Sequence, residues 1–419
     1  MAKKPKGSWK ALGSRNRQVC SAHPERLYMY DNSTHQGLEK KITKRALDIQ
    51  PFIVMDVMEK ALELQKQGHH VVHLEIGEPD LPTPQCICKS GCLAMEKGYT
   101  HYTHSLGILE LRQAICNHYQ EKYGVEVTPD QVLVTSGTSP ALLLIFSALL
   151  ETGDQIIMSD PHYPCYPNYV NFLGAEPVFI KVYEEEGFQL DPDEIRRHLS
   201  PKVKAILINS PSNPTGTLLS PEKMKAIARL GVPVISDEIY HGLVYGEKEH
   251  SILEFTKDAF VLNGFSKLYA MTGWRLGYVI APHAFVRPLQ KMQQNFIISA
   301  SSISQWAAIT ALKEAHEDVR RMWNTYNERR KYMVSRLKDL GFGLATEPQG
   351  AFYVFANAKH LSSKSYELAF EILEKAHVGV APGIDFGENG EGYLRFSYAN
   401  SLENIREGLD RIENYLRQR

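Results

Sequence analysis

A lysine in a turn of small residues, directly after an apolar strand candidate, is placed to react with a carbonyl compound. Lys267 has that setting. The run G-F-S-K-L-Y-A-M-T-G-W-R-L-G spans Gly264 to Gly277 and follows the apolar stretch Ala259–Asn263, with Arg275 eight residues after the lysine. A lysine amine can condense with an aldehyde, and a guanidinium can hold an anion at a fixed distance from it. A phosphorylated aldehyde needs both. A lone Ser-Lys pair is more often a solvated surface feature, so the weight rests on what stands beyond the other strands.

In an open parallel sheet, ligands collect at the carboxyl ends of the strands. Chemically loaded residues follow one apolar run after another here. Val132–Thr135 leads into Ser136-Gly137-Thr138-Ser139, small residues that let backbone N–H groups at a helix start approach an anion. Gln155–Met158 leads into Asp160-Pro161-His162-Tyr163, where Tyr163 can stack on a flat heteroaromatic ring and His162 reads as structural. Ala205–Asn209 leads into Ser210-Pro211-Ser212-Asn213-Pro214-Thr215-Gly216, a rigid turn that holds the Asn213 amide. Val232–Ser236 leads into Asp237-Glu238-Ile239-Tyr240. The Asp237 carboxylate can pair with a pyridinium nitrogen, while Glu238 is expected to point away. Taken singly, each has a plain alternative: a helix N-cap for Ser-Gly-Thr, a core aromatic for Tyr163, a capping acid for Asp237.

The elements that must position these groups are legible from about Ala46. Val57 to Lys66 reads as a helix ending at Gly68, and Val71 to Ile76 as a short strand. Strand candidates at 132–135, 155–158, 178–182, 205–209, 232–236, 259–263 and 278–281 alternate with helical stretches, mostly 20 to 30 residues apart. That spacing predicts strand–helix–strand crossovers. The expected fold class is α/β: a large domain with a mostly parallel seven-stranded sheet flanked by helices, plus a smaller α+β domain. Residues 305–340 read as helix with Trp306, Ala307, Leu312, Val319 and Met322 on one stripe, followed by strands 351–355 and 393–398 around a helix 365–376. The predicted boundaries are a basic, disordered tail over 1–43, a small domain from 44–77 and 320–419, and a large domain from 78–319.

The motifs together resemble the class I, fold-type I, pyridoxal-phosphate-dependent aminotransferases, from about Ala46 onward. The resemblance is carried by the lysine run, Gly77-Glu78-Pro79-Asp80, Ser136-Gly137-Thr138, S-P-S-N-P-T-G, S-D-E-I-Y, Gly350-Ala-Phe-Tyr353, and Arg395 in L-R-F-S-Y-A. It implies that Lys267 forms the aldimine with pyridoxal 5'-phosphate and moves a proton once substrate frees it. Asp237 would pair with the pyridine nitrogen, Asn213 and Tyr240 would bond the phenolic oxygen, and Tyr163 would stack on the ring. Gly137, Thr138, Ser139 and Arg275 would bind phosphate, and Ser266 would add a hydroxyl, since Gly264 stands where the family often has serine. Arg395, with the Gly77 backbone and Asn213, would grip the substrate α-carboxylate. Tyr102 matches a tyrosine that reaches the phosphate from a second subunit, which implies a homodimer with shared active sites.

The resemblance also bears on substrate. Aspartate-specific members hold the second carboxylate with a base, yet residues 293–306 contain neither Lys nor Arg, and the entrance segment Pro51-Phe52-Ile53-Val54 is apolar. Leaving a carboxylate unpaired in such a pocket costs several kcal/mol. The expectation is amino transfer from a neutral or apolar L-amino acid to a 2-oxo acid, 2-oxoglutarate by family habit. A β-eliminating enzyme of the same fold and a cofactor-sensing regulator are the alternatives; the second needs a DNA-binding module, which the patternless tail does not suggest.

Composition sets outer bounds. With 419 residues, 43% apolar and 23% charged, the chain suits a globular protein of two domains, and its net charge of −1 gives no bulk attraction to nucleic acid or acidic membrane. Six unevenly placed cysteines make no disulfide framework or metal site, and no apolar run reaches the ~20 residues of a membrane span. A cytoplasmic enzyme is expected.

Overall fold

The computed structural model describes residues 41–419; the basic tail, up to residue 40, lies outside the described residues. Residues 41–48 carry one short helix, Lys44–Asp48, with no buried side chain. The rest, from Ile49 onward, packs as one compact unit with twelve strands. These are β1 (Val72–His73), β2 (Val132–Thr135), β3 (Gln155–Asp160), β4 (Glu176–Lys181), β5 (Val203–Asn209), β6 (Val234–Asp237), β7 (Ala259–Gly264), β8 (Gly277–Ile280), β9 (Tyr353–Asn357), β10 (Val378–Gly379), β11 (Ala381–Pro382) and β12 (Tyr393–Ser397).

Seven of them form the central sheet in the order β2-β8-β7-β6-β5-β3-β4. β8 runs antiparallel to both β2 and β7, and the other neighbours are parallel. The inner strands are continuous apolar runs because both faces are covered. Side chains of one strand alternate between two cores: Ile157, Ile206, Ile208 and Val261 pack on one side, and Met158, Ala205, Leu207 and Leu262 on the other. β6 starts at Val234, two residues later than expected, after Pro233, which has no N–H to give the ladder.

A separate three-stranded antiparallel sheet, β11-β12-β9, and the parallel pair β1-β10 belong to the smaller lobe. The expected strand at 71–76 is paired only over Val72–His73. The helical text at 305–340 is two helices, Ser302–Glu314 and His316–Asp339, separated at Ala315. Of the expected stripe, Ala307 and Met322 are buried, while Trp306 is partly exposed and stacks on Tyr99 at 4.7 Å. Among the described residues, no helix is long and apolar enough to cross a membrane.

Candidate active site

Five strand ends open onto one cavity of about 290 Å³. Its lining includes Gly77, Thr138, Ser139, Tyr163, Asn213, Asp237, Tyr240, Ser266, Lys267, Arg275 and Arg395. Gly137 lies against this wall through Arg275, whereas Tyr102 is 81% exposed and does not line the cavity of its own chain.

Lys267 stands three residues past β7, and its Nζ donates a 2.7 Å hydrogen bond to the carbonyl of Gly77. Burial pushes the amine down to about 8; the nearby Glu78 charge opposes this, and Arg395 and Arg275 add to it. A lysine so shifted carries a far larger neutral fraction near physiological pH than an ordinary lysine, and that fraction can act as a nucleophile or base. Gly264 ends β7 opposite Gly277, and a Cβ there would lie 3.0 Å from the Gly277 Cα. The paired strands lie close there, so a side chain at this position would press on the neighbouring backbone.

Asp237 ends β6 and is buried. Its Oδ2 accepts a 2.7 Å hydrogen bond from the Tyr166 hydroxyl, and its Oδ1 accepts from Ile239 N at 3.2 Å. Burial raises its pKa to about 6, and those two hydrogen bonds and the charge of Lys267 pull the other way. Glu238 turns away from the cavity into a fully buried net, accepting from Ser236 Oγ, Ser251 Oγ, Ile252 N and Tyr119 OH. Burial pushes it up to about 8.

Arg395 on β12 is 2% exposed and lies between the rings of Tyr353 at 4.3 Å and Phe386 at 4.8 Å. Nη1 donates to Asn213 Oδ1 at 2.9 Å and Nη2 to the Glu75 carbonyl, but the buried Nε has no partner. A buried guanidinium N–H left open is costly unless a ligand completes it. Asn213 is held in turn by its backbone N–H to Asn209 Oδ1 at 2.8 Å. The Tyr240 and Tyr353 hydroxyls share a 2.9 Å hydrogen bond, and a Cβ at Gly77 would collide with the Tyr353 hydroxyl at 2.3 Å.

At the opposite end, the helix Thr138–Leu149 begins at the cavity without a side-chain cap. Gly137 has φ +101°, and a Cβ there would meet Arg275 Nη2 at 2.8 Å. The guanidinium therefore lies close over bare backbone at a helix start, a donor set suited to a phosphate. Tyr163 meets Tyr166 and Phe52 edge-on, at 5.3 and 6.0 Å. His162 stacks on Phe179 at 4.9 Å, away from the cavity.

Sequence reasoning missed Tyr166 and Asn209, both in the lining. Tyr166 lies three residues after Tyr163, in the first turn of the helix Cys165–Phe172, and that spacing was the available signal.

Comparison with known proteins adds to this geometry. Residues 69–412 match the family model "Aminotransferase class I and II". The (5-formylfuran-3-yl)methyl phosphate transaminase of Methanocaldococcus jannaschii is 43% identical, over 90% of this chain and 99% of that protein. The aspartate aminotransferase of Pyrococcus horikoshii is 39% identical, over 90% and 97%. Among solved structures, the Thermus thermophilus aspartate aminotransferase with maleate aligns at TM-score 0.86 and 35% identity, over 89% of this chain and 99% of that one. The chain thus belongs to the class I and II aminotransferase family and is an aminotransferase.

Proposed function

We propose that this enzyme moves the amino group of a neutral or apolar L-amino acid to 2-oxoglutarate, with pyridoxal 5'-phosphate as cofactor. The observation that carries the reading is the convergence of a depressed lysine, a buried carboxylate and a half-satisfied buried arginine on one cavity. Bound there, pyridoxal phosphate supplies an aldehyde carbon that takes up the amino group and a ring that draws electrons from the substrate Cα.

The chain's own residues do the rest. Arg275, Gly137, Thr138 and Ser139 hold the phosphate at the helix start. Asp237, fixed by Tyr166, would keep a proton on the ring nitrogen, and Tyr163 would offer its face to the ring. Asn213 and Tyr240 bond the phenolic oxygen, and Ser266 adds a hydroxyl. Arg395 would take the α-carboxylate through its guanidinium, beside the Gly77 backbone. Lys267, once free, carries a proton to and from the substrate Cα.

The substrate preference rests on the lining. Its cations are Lys267, Arg275 and Arg395, each engaged above, while Phe52, Val54, Met55, Met58 and Leu142 supply an apolar wall. Steady-state kcat/KM with 2-oxoglutarate, compared across alanine, leucine, phenylalanine and aspartate, tests this. A higher value for aspartate than for all three neutral donors would refute it.

A homodimer is part of the reading. Leu93, Met95, Tyr99, Tyr102, Leu109, Phe296 and Ile298 are large, exposed and apolar, as an interface requires. The small domain is proposed as 44–77 with 320–419, and the large one as 78–319.

A further inference from the structure

The apolar wall of the cavity begins at the start of a helix, Ile53–Lys66, that has no local cap. The residue before it is Phe52, which offers no side-chain acceptor to the first turn. The leading N–H groups of any helix need partners from outside it. Here they come from far along the chain: Asp385 Oδ1 accepts from Ile53 N at 2.9 Å and Oδ2 from Val54 N at 3.2 Å, across 332 and 331 residues. A carboxylate at a helix N-terminus also meets the positive end of the helix dipole.

Asp385 stands on a firm base. It belongs to the short turn Gly383–Phe386, where a Cβ at Gly383 would lie only 1.9 Å from the Gly390 carbonyl, so two backbones are in contact. Ile384 N donates to Ser365 Oγ at 3.0 Å, and the next residue, Phe386, flanks Arg395. Asp385 itself is 8% exposed and does not line the cavity. What it holds does: Phe52, Val54, Met55 and Met58 all face the cavity, and Val54 packs into a small core with Phe355, Ala381, Phe386 and Tyr393.

We infer that Asp385 is a positioning residue for substrate selection. By capping the first turn of Ile53–Lys66, its carboxylate keeps the Phe52–Met58 wall against the substrate's side chain. This rests on the apolar-donor reading above.

The experiment uses the holoenzyme and its D385A and D385N variants, with leucine and alanine as donors and 2-oxoglutarate as acceptor. Leucine extends an isobutyl group beyond the Cα where alanine has one methyl, so it is the donor whose binding should depend on the wall. The expected result for D385A is a KM for leucine raised about tenfold, with kcat unchanged and the KM for alanine within about twofold. D385N keeps one acceptor oxygen and should fall between; it carries the comparison alone if D385A yields no folded holoenzyme. Amide hydrogen exchange over residues 52–58 should accelerate in the same order. An equal rise in KM for both donors would mean that Asp385 acts through Arg395, and would overturn the inference. So would unchanged kinetics or unchanged exchange. If the unaltered enzyme prefers aspartate to leucine, the apolar reading falls by itself, and the exchange result alone decides whether Asp385 holds the wall.

Discussion

Tyr166 donates a 2.7 Å hydrogen bond to Oδ2 of Asp237, joining the first turn of a helix to the end of β6 inside the sheet's main cleft. The carboxylate is thereby aimed and kept from retreating into a proton of its own: burial raises its pKa to about 6, and Tyr166 works against that shift.

Tyr166→Phe removes the hydroxyl and keeps the ring. A hydrogen bond to a charged group contributes about 1.5–3 kcal/mol, so melting temperature should fall by several degrees and kcat of the folded holoenzyme should drop about tenfold or more. Stopped-flow measurement of the half-reaction with a single amino acid reads this directly. An unchanged rate would mean that Asp237 needs no second anchor.

Gly137→Ala tests the anion cradle. The added methyl meets Arg275 Nη2 at 2.8 Å, at a backbone φ of +101° that L-residues rarely adopt. Strain of about 1–3 kcal/mol is expected, and the dissociation constant for pyridoxal phosphate should rise about tenfold. Fluorescence titration of the cofactor-free protein gives the value; tight binding by the variant would place the phosphate elsewhere.

Arg395→Lys keeps the charge but loses the planar fork. Its two made hydrogen bonds and its open Nε cannot all be replaced by one ammonium. We expect kcat/KM to fall by about two orders of magnitude for every amino donor alike. A loss confined to one donor would assign Arg395 to side-chain recognition instead.

Glu238 predicts a pH dependence of stability. Its folded pKa of about 8 lies above the ordinary 4.5, so the folded state binds the extra proton between those values. Stability from this group is complete below about pH 4.5 and lost as pH rises through about 8. Asp237, Asp160 and Asp385 are raised only to about 6, and His241, pushed down to about 4, has finished its change by its ordinary 6.5. Melting temperature should therefore fall between about pH 6.5 and 8 in the native protein and stay flatter in Glu238→Gln. Equal slopes would remove Glu238 as the cause.

The central sheet was legible because strands covered on both faces are written as unbroken apolar runs, each stopped by small or polar residues. Its edges were less so: β4 starts at Glu176, where the half-covered strand has no apolar signature. The break at Ala315 was hidden because alanine continues a helical pattern as readily as it ends one. Around the cavity, residues standing next to strand ends could be named, since chain order alone brings them together. Tyr166 looked like any core aromatic, and its acidic partner lies 71 residues away. Asp385 was invisible for the same reason: a cap supplied across 332 residues leaves no local pattern.

The account stands most directly on the amine of Lys267. The measurement is the absorbance spectrum of the purified protein saturated with pyridoxal phosphate, taken before and after adding one amino acid with no oxo acid present. A visible band should give way to the near-ultraviolet band of pyridoxamine phosphate with alanine or leucine, and that conversion should be lost in Lys267→Ala. A protein that takes up no cofactor, or that converts as readily in Lys267→Ala, would contradict this role for Lys267.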